Sequence, residues 1–274
     1  MADEKPVRLS SGLETVVRAW RPRETPKAVV VGVHGFAEHS GRYEHFGAYL
    51  AEKGFSLYMY DLRGHGLSKS ERGYVESFND FVRDTISFIS YVKEEARIPR
   101  VFLFGHSMGG LIAVHVAGSL GEELRGLVTS GAALEVRTTF TQRMLLSVLG
   151  TFSPRKRLPL PVSTECLTHD EEVAKRYLSD PLVFKDPTVR LLVEFGRGVS
   201  QAWRSVESIK CPALVLHGKE DCLVPPSASQ RLYEKLRVAD KTLRLYEGLK
   251  HEILNEPQWR MVADDIARWL EEHL

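Results

Sequence analysis

Apolar residues fall along this chain in two rhythms. Short unbroken runs, Val29–Val33, Phe55–Tyr60, Val101–Phe104, Leu127–Thr129, Ala213–His217 and Thr242–Tyr246, are rich in Val, Leu, Phe and Tyr and close on Gly, Asp or His. They read as strands, and their lack of polar alternation suits strands covered on both faces. Glu14–Trp20 alternates better and is expected as an antiparallel edge strand. Longer stretches follow a helical period. Phe78–Ala96 repeats Phe78, Phe81, Val82, Thr85, Ile86, Ile89 and Val92 along one face, with Ser77 or Asn79 as its cap. Met108–Leu120 is small and apolar throughout, as a buried helix should be, and Ser227–Val238 and Trp259–Leu270 are amphipathic. Alternating strand and helix predicts an α/β fold with a mostly parallel central sheet and helices on both faces.

One stretch breaks the rhythm. Residues 136–206 show no clear strand and carry Pro154, Pro159, Pro161, Pro181 and Pro187 among short helical patterns. We read them as a helical cap inserted into a core made of residues 1–135 and 207–274. The alternative is a set of extra helices packed on the side. Ligands of open α/β sheets bind outside the carboxyl ends of the strands, which favours a cap placed there. Within it Phe140, Met144, Leu145, Val148, Leu149 and Phe152 share a helix face. That face either packs on the protein's own core or forms an apolar wall for an acyl chain, or a patch that touches a membrane surface transiently.

Composition narrows the function classes. At 274 residues and 43% hydrophobic, the chain can bury one large core, so one domain with an insertion fits. Lys and Arg total 37 against 36 for Asp and Glu, leaving a net charge of +1 and no field to attract nucleic acid. The run Arg155-Lys156-Arg157 reads as a solvated loop. The mixed-charge N-terminus lacks the pattern of a secretory signal, and no apolar run nears the roughly 18 residues of a membrane span. Cys166, Cys211 and Cys222 form no C-x-x-C pair, which argues against a disulfide framework or a zinc site. The expectation is a soluble, reduced, cytoplasmic protein, with transient peripheral membrane contact through the cap. The spacings of His34, His39, His45 and His65 match no metal-ligand set, and no phosphate-binding or dinucleotide glycine pattern is present, so neither metal nor cofactor is expected.

The chemistry centres on Gly105-His106-Ser107-Met108-Gly109. It fits G-x-S-x-G, and it lies between a strand and a helix. That context makes it a nucleophile elbow, in which a sharp turn lifts the serine Oγ above the sheet of an α/β-hydrolase fold. A serine hydroxyl needs a base, and the base an orienting acid; in this fold both follow the serine in the order Ser, Asp/Glu, His. Asp221, in the loop after Ala213–His217, is the candidate acid, with Glu220 and Glu135 as alternatives. His251, in the loop after Thr242–Tyr246, is the candidate base; His106 is fixed by the elbow to point elsewhere than the serine. Oxyanion donors are expected from the backbone N–H of Met108 and, in the loop His34-Gly35-Phe36-Ala37, of Phe36. Asp61-Leu62-Arg63-Gly64-His65-Gly66 reads as a tight structural turn.

With these residues placed, the chain resembles the monoacylglycerol lipases and related lysophospholipases. His34-Gly35-Phe36-Ala37-Glu38-His39-Ser40-Gly41-Arg42-Tyr43 is similar to their H-G-x-x-E-H-S-x-R-Y signature, and Asp61–Ser68 to their D-x-R-G-H-G-x-S. The segments around Ser107, Asp221 and His251 match those bearing the family's nucleophile, acid and base. The resemblance runs from about Val29 to Asn255. It implies Ser107, Asp221 and His251 as a triad, Phe36 and Met108 as oxyanion donors, and a cap forming a tunnel for one acyl chain with a small polar pocket for glycerol. Many relatives carry Gly at Ala37 and a small residue at Phe36, and the cap matches only at Ser179–Leu182.

The expected function is hydrolysis, without a cofactor, of a carboxylic ester with an apolar acyl chain, a monoacylglycerol first among them. A lysophospholipase, a general carboxylesterase, a thioesterase or an acyltransferase would use the same residues. A non-catalytic binding protein on a hydrolase scaffold is the alternative of another class.

Overall fold

The parallel strands are buried along their length because each feeds two cores at once. In the computed structural model, which describes residues 1–135, 146, 148–160 and 163–274, the sheet has eight strands. They are β1 (Asp3–Arg8), β2 (Glu14–Trp20), β3 (Ala28–Val33), β4 (Phe55–Tyr60), β5 (Phe102–His106), β6 (Gly126–Ser130), β7 (Ala213–Gly218) and β8 (Lys241–Tyr246). Val29, Val31 and Val33 of β3 join one core while Val30 joins the other, and Leu103 of β5 opposes Phe102 and Phe104 in the same way. Side chains two apart share a face, so a run of consecutive apolar residues satisfies both faces without polar alternation. The first core is closed by α2 (Phe78–Ala96), α3 (Met108–Leu120) and α6 (Ser227–Lys235). The second is closed by α1 (Glu44–Glu52) and α7 (Trp259–Glu272).

The strand order is β1-β2-β4-β3-β5-β6-β7-β8, with β1–β2 and β2–β4 antiparallel and the other pairs parallel. Glu14–Trp20 is antiparallel as expected but is not the edge. The preceding Asp3–Arg8 pairs outside it, and its Pro6, which has no N–H to give to a further strand, sits where an edge tolerates it. Ser77 caps α2: its hydroxyl accepts from Asn79 N–H while Asp80 accepts from Ser77 N–H at 3.0 Å.

Two helices follow in the segment between β6 and β7, α4 (Glu171–Ser179) and α5 (Val189–Val206); residues 148–152 are also helical, and no strand is present among the described residues there. α5 packs laterally on α2 and α3, where His115 Nε2 donates to Gly198 O at 2.9 Å and Phe78 lies against Gly198. Residues 163–187 instead run across the carboxyl edge of the sheet, with Phe184 N–H donating to Ala37 O at 3.2 Å. The chain order reverses between β3 and β5, so the loops leaving those two strands open the crevice in which open α/β sheets hold ligands.

Candidate active site

The turn from β5 into α3 sets Ser107 at φ 54° and ψ −119°, a left-handed conformation costly for any residue with a Cβ. It is over-determined from both sides. A Cβ on Gly109 would lie 2.1 Å from Val33 O, and one on Gly105 2.4 Å from Gly109 O, so neither position admits a side chain. Ser107 N–H is already bonded to Ser130 O at 2.9 Å, and Leu111 N–H closes the first helical turn on Ser107 O. The side chain thus stands at the helix N-terminus, where free N–H groups favour negative charge.

The loops after β7 and β8 bring their residues to the same edge. His251 Nε2 is 2.9 Å from Ser107 Oγ, and His251 Nδ1 is 2.6 Å from Asp221 Oδ2. A carboxylate only accepts, so Nδ1 carries the proton and Nε2 is left to accept from the serine hydroxyl. Asp221 Oδ1 accepts from Leu223 N–H and Val224 N–H at 2.8 and 2.9 Å. Burial opposes charge on both groups. Hydrogen bonds from two imidazoles nevertheless hold the Asp221 carboxyl well below its usual range, and the bond and charge of Asp221 keep the His251 imidazole above its ordinary value. The alternative acids lie elsewhere: Glu220 faces His169 at 3.4 Å, and Glu135 pairs with Arg231 at 3.3 Å.

A cavity of about 180 Å³ opens above Ser107 and His251. Its lining combines apolar side chains, Phe36, Leu160, Leu167, Phe184 and Leu223, with the polar Glu38, Tyr177 and Glu252. Phe36 is wedged between Phe184 and Phe195, their ring centroids 5.6 and 5.8 Å away. Met108 is fully buried behind the serine. Val148 is half exposed and Phe152 almost fully so, whereas Leu149 is half-buried; none of the three borders the cavity. Phe140, Met144 and Leu145 lie outside the described residues.

Several groups around the site escape sequence reasoning. His106 points elsewhere than the serine, anchored through Nδ1 to Ser130, but its ring packs 4.9 Å from that of His251, a contact the sequence did not show. Burial, with the His251 charge beside it, pushes the His106 imidazole down to about 4, so it stays neutral beside His251. Glu38 lies under the β3 loop, accepting from Gly35 N–H at 2.5 Å and Tyr43 Oη–H at 2.7 Å. Arg42 joins it to Glu252, giving that carboxylate two parallel bonds at 2.8 and 2.7 Å. Glu38 and Arg42 carried one signal, their place in the E-H-S-x-R-Y signature; Glu252, 210 residues from Arg42, left none. The Asp61 turn is tied as a turn should be. Its carboxylate accepts from Ser40 and Leu67 N–H, and a Cβ on Gly66, at φ 51°, would meet Asp61 Oδ2 at 2.3 Å.

A sequence profile described as serine aminopeptidase, S33, matches residues 24–258. A monoacylglycerol lipase of Mycolicibacterium smegmatis is 32% identical over 96% of this chain and 95% of its own length. The Homo sapiens monoglyceride lipase is 34% identical over 87% of this chain and 80% of its own. The chain belongs to the monoacylglycerol lipase-like family of serine hydrolases. The crystal structure of the Paleococcus ferrophilus monoacylglycerol lipase superposes with a TM-score of 0.86 at 33% identity, covering 95% of this chain and all of the other. This member of the family is accordingly a carboxylic ester hydrolase with the α/β-hydrolase fold.

The expectation that its cysteines stay unpaired is corrected. Cys166 and Cys222 are joined by a disulfide across a sequence separation of 56, and Cys211 alone is free and buried. Distance along the chain hid the pair. Residues 163–168 and the loop after β7 meet only because both lie at the carboxyl edge of the sheet. The same segment is stitched to the loop that carries His251, since His251 N–H and Glu252 N–H donate to Cys166 O and Leu167 O at 3.2 and 2.8 Å. Closing a loop of that size restricts the unfolded chain by about 4 kcal/mol on the chain-entropy estimate. Cys166→Ser is therefore expected to lower the melting temperature by several degrees and to abolish its response to dithiothreitol. An identical melting temperature for the wild type with and without reductant would contradict this.

Proposed function

We propose that the chain hydrolyses a monoacylglycerol through an acyl-enzyme, with Ser107 as nucleophile, His251 as general base and Asp221 as the acid that orients it. The observation that supports the reading is the unbroken chain Ser107–His251–Asp221, whose first two members line a cavity of mixed apolar and ionic residues. Ser107 Oγ attacks the ester carbonyl carbon while His251 Nε2 takes its proton; backbone N–H groups of Phe36 and Met108 receive the oxyanion. The carbon–oxygen bond to glycerol then breaks, and His251 returns the proton to the leaving oxygen. Water next attacks the acyl carbonyl, again with His251 as base, and frees the fatty acid and Ser107. Phe36 and Phe184 suit the start of the acyl chain, and Glu38, Tyr177 and Glu252 suit glycerol hydroxyls.

In this reading residues 136–206 act as a cap on the core of 1–135 and 207–274. The exposed Val148 and Phe152 supply a transient contact with a membrane surface, from which the substrate is drawn. No helix among the described residues is long and apolar enough to cross a membrane. A panel of monoacylglycerols, lysophospholipids and simple esters of graded chain length tests the substrate. Glycerol release that favours long chains is expected; preference for acetate esters or for lysophospholipids would replace monoacylglycerol as the substrate.

A further inference from the structure

Asp221 Oδ2 faces two imidazoles, not one. His251 Nδ1 is 2.6 Å from it, and His217 Nε2 is 3.0 Å from the same oxygen. His217 sits in β7, wholly buried, and its Nδ1 is 2.7 Å from the hydroxyl of Ser229 on α6, which is also wholly buried. Its Nε2 faces a second oxygen as well, Val224 O at 3.1 Å. Two acceptors before Nε2 place the proton there, so Nδ1 accepts from the Ser229 hydroxyl. A connected line of donors therefore runs from Ser229 through His217 to Asp221, meeting there the line that comes from Ser107 through His251. Nothing in the acyl-enzyme sequence above uses His217 or Ser229.

We infer that His217, oriented by Ser229, is a positioning residue of this hydrolase: by sharing Asp221 Oδ2 with His251 it limits how strongly the carboxylate holds the imidazole. The inference rests on the roles proposed for Ser107, Asp221 and His251. A carboxylate oxygen that receives two N–H donors binds each less tightly than it would bind one. Without His217, Asp221 becomes the stronger partner of His251 Nδ1–H, the imidazolium gains most from this, and the base is occupied by a proton up to higher pH. The other charged groups facing His251 are Glu252 and Glu38, with Arg42 between those two and His106 tilted beside the ring. Glu220, next in the chain to Asp221, turns outward to His169. None of them touches His217, so a change at 217 leaves them in place. A merely space-filling histidine predicts something else, a loss of stability with an unmoved pH profile.

The test is kcat/KM against pH for the wild type, His217→Leu, His217→Gln and Ser229→Ala, with the rate of fluorophosphonate labelling at Ser107 followed in parallel. The wild-type acid limb is expected above the ordinary imidazole value of 6.5, because His251 is raised. H217L is expected to move that limb up by about half to one pH unit, which lowers activity on the acid side by about three- to tenfold. H217Q, which returns an N–H donor near the position of Nε2, should restore the wild-type limb. S229A should move it in the same direction as H217L by less. A limb in H217L that coincides with the wild type overturns the inference, as does an equal displacement in H217L and H217Q. Should H217L fail to fold, an unmoved limb in S229A does so. Absence of Ser107 labelling in the wild type would instead strike the proposed triad itself, so the two failures are distinguishable.

Discussion

Replacing Ser107 by alanine is expected to lower ester cleavage by about 10⁴- to 10⁶-fold while the protein stays folded. The size follows from what the hydroxyl does in the proposed mechanism. Without Oγ no acyl-enzyme forms, and only the oxyanion donors and substrate binding remain to assist direct attack by water. The cost to the fold is small for a reason visible in the geometry. Ser107 Oγ is bonded to His251 Nε2, while the turn itself is held by Ser107 N–H on Ser130 O and by the close approach of Gly109 to Val33. Alanine keeps those backbone contacts and gives up one partly exposed hydrogen bond, worth about 1 kcal/mol. Circular dichroism and the melting temperature should therefore remain near wild type while fluorophosphonate labelling disappears. Wild-type turnover in this variant would remove Ser107 from the mechanism.

The parts of this molecule legible in the sequence are those whose cause is local. β3, β5 and β7 announced themselves because burial on both faces demands consecutive apolar residues, and the Ser107 turn because Gly105 and Gly109 are sterically obligatory on either side of it. His251 and Asp221 followed, since parallel strands deliver their exit loops to one edge. β1 was missed because Asp-Glu-Lys-Pro-Val-Arg is held by backbone pairing to β2 rather than by burial, and pairing leaves no mark on composition. α1 was missed for a related reason. Its nine residues carry Gly47 in fourth place, a poor helix former that is required because Trp20 packs where a Cβ would stand. What surrounds Ser107, His251 and Asp221 was hidden more deeply. Cys166 with Cys222, Arg42 with Glu252 and His106 with His251 are unions of residues 56, 210 and 145 positions apart, made by the sheet and not by any spacing along the chain.

Arg42→Met should be the most damaging single change away from Ser107, His251 and Asp221, costing about 3–5 kcal/mol of stability at pH 7 together with most of the activity. Arg42 is nearly buried and lies between two carboxylates that are as buried as itself, Glu38 and Glu252. In the wild type, burial works to raise both carboxyls, but the guanidinium outweighs it and holds them below their usual range. Their contribution to stability is therefore present above the unfolded carboxylate value of about 4.3 and lost as pH falls through the lower folded values. Remove the cation and the sign reverses. Two buried carboxylates without a partner rise above the unfolded value, so the variant binds a proton on folding and is least stable where both are ionised. The gap in melting temperature between wild type and R42M should then narrow from pH 8 to pH 5. Activity falls with it because Glu38 holds Gly35 N–H, which fixes the loop proposed to present Phe36 N–H to the oxyanion. Lysine at 42 keeps the charge but cannot reproduce the paired bonds to Glu252, and should recover only part of either loss. A deficit under about 1 kcal/mol at pH 7, or one that widens on acidification, would show that the two carboxylates are stabilised by something other than Arg42.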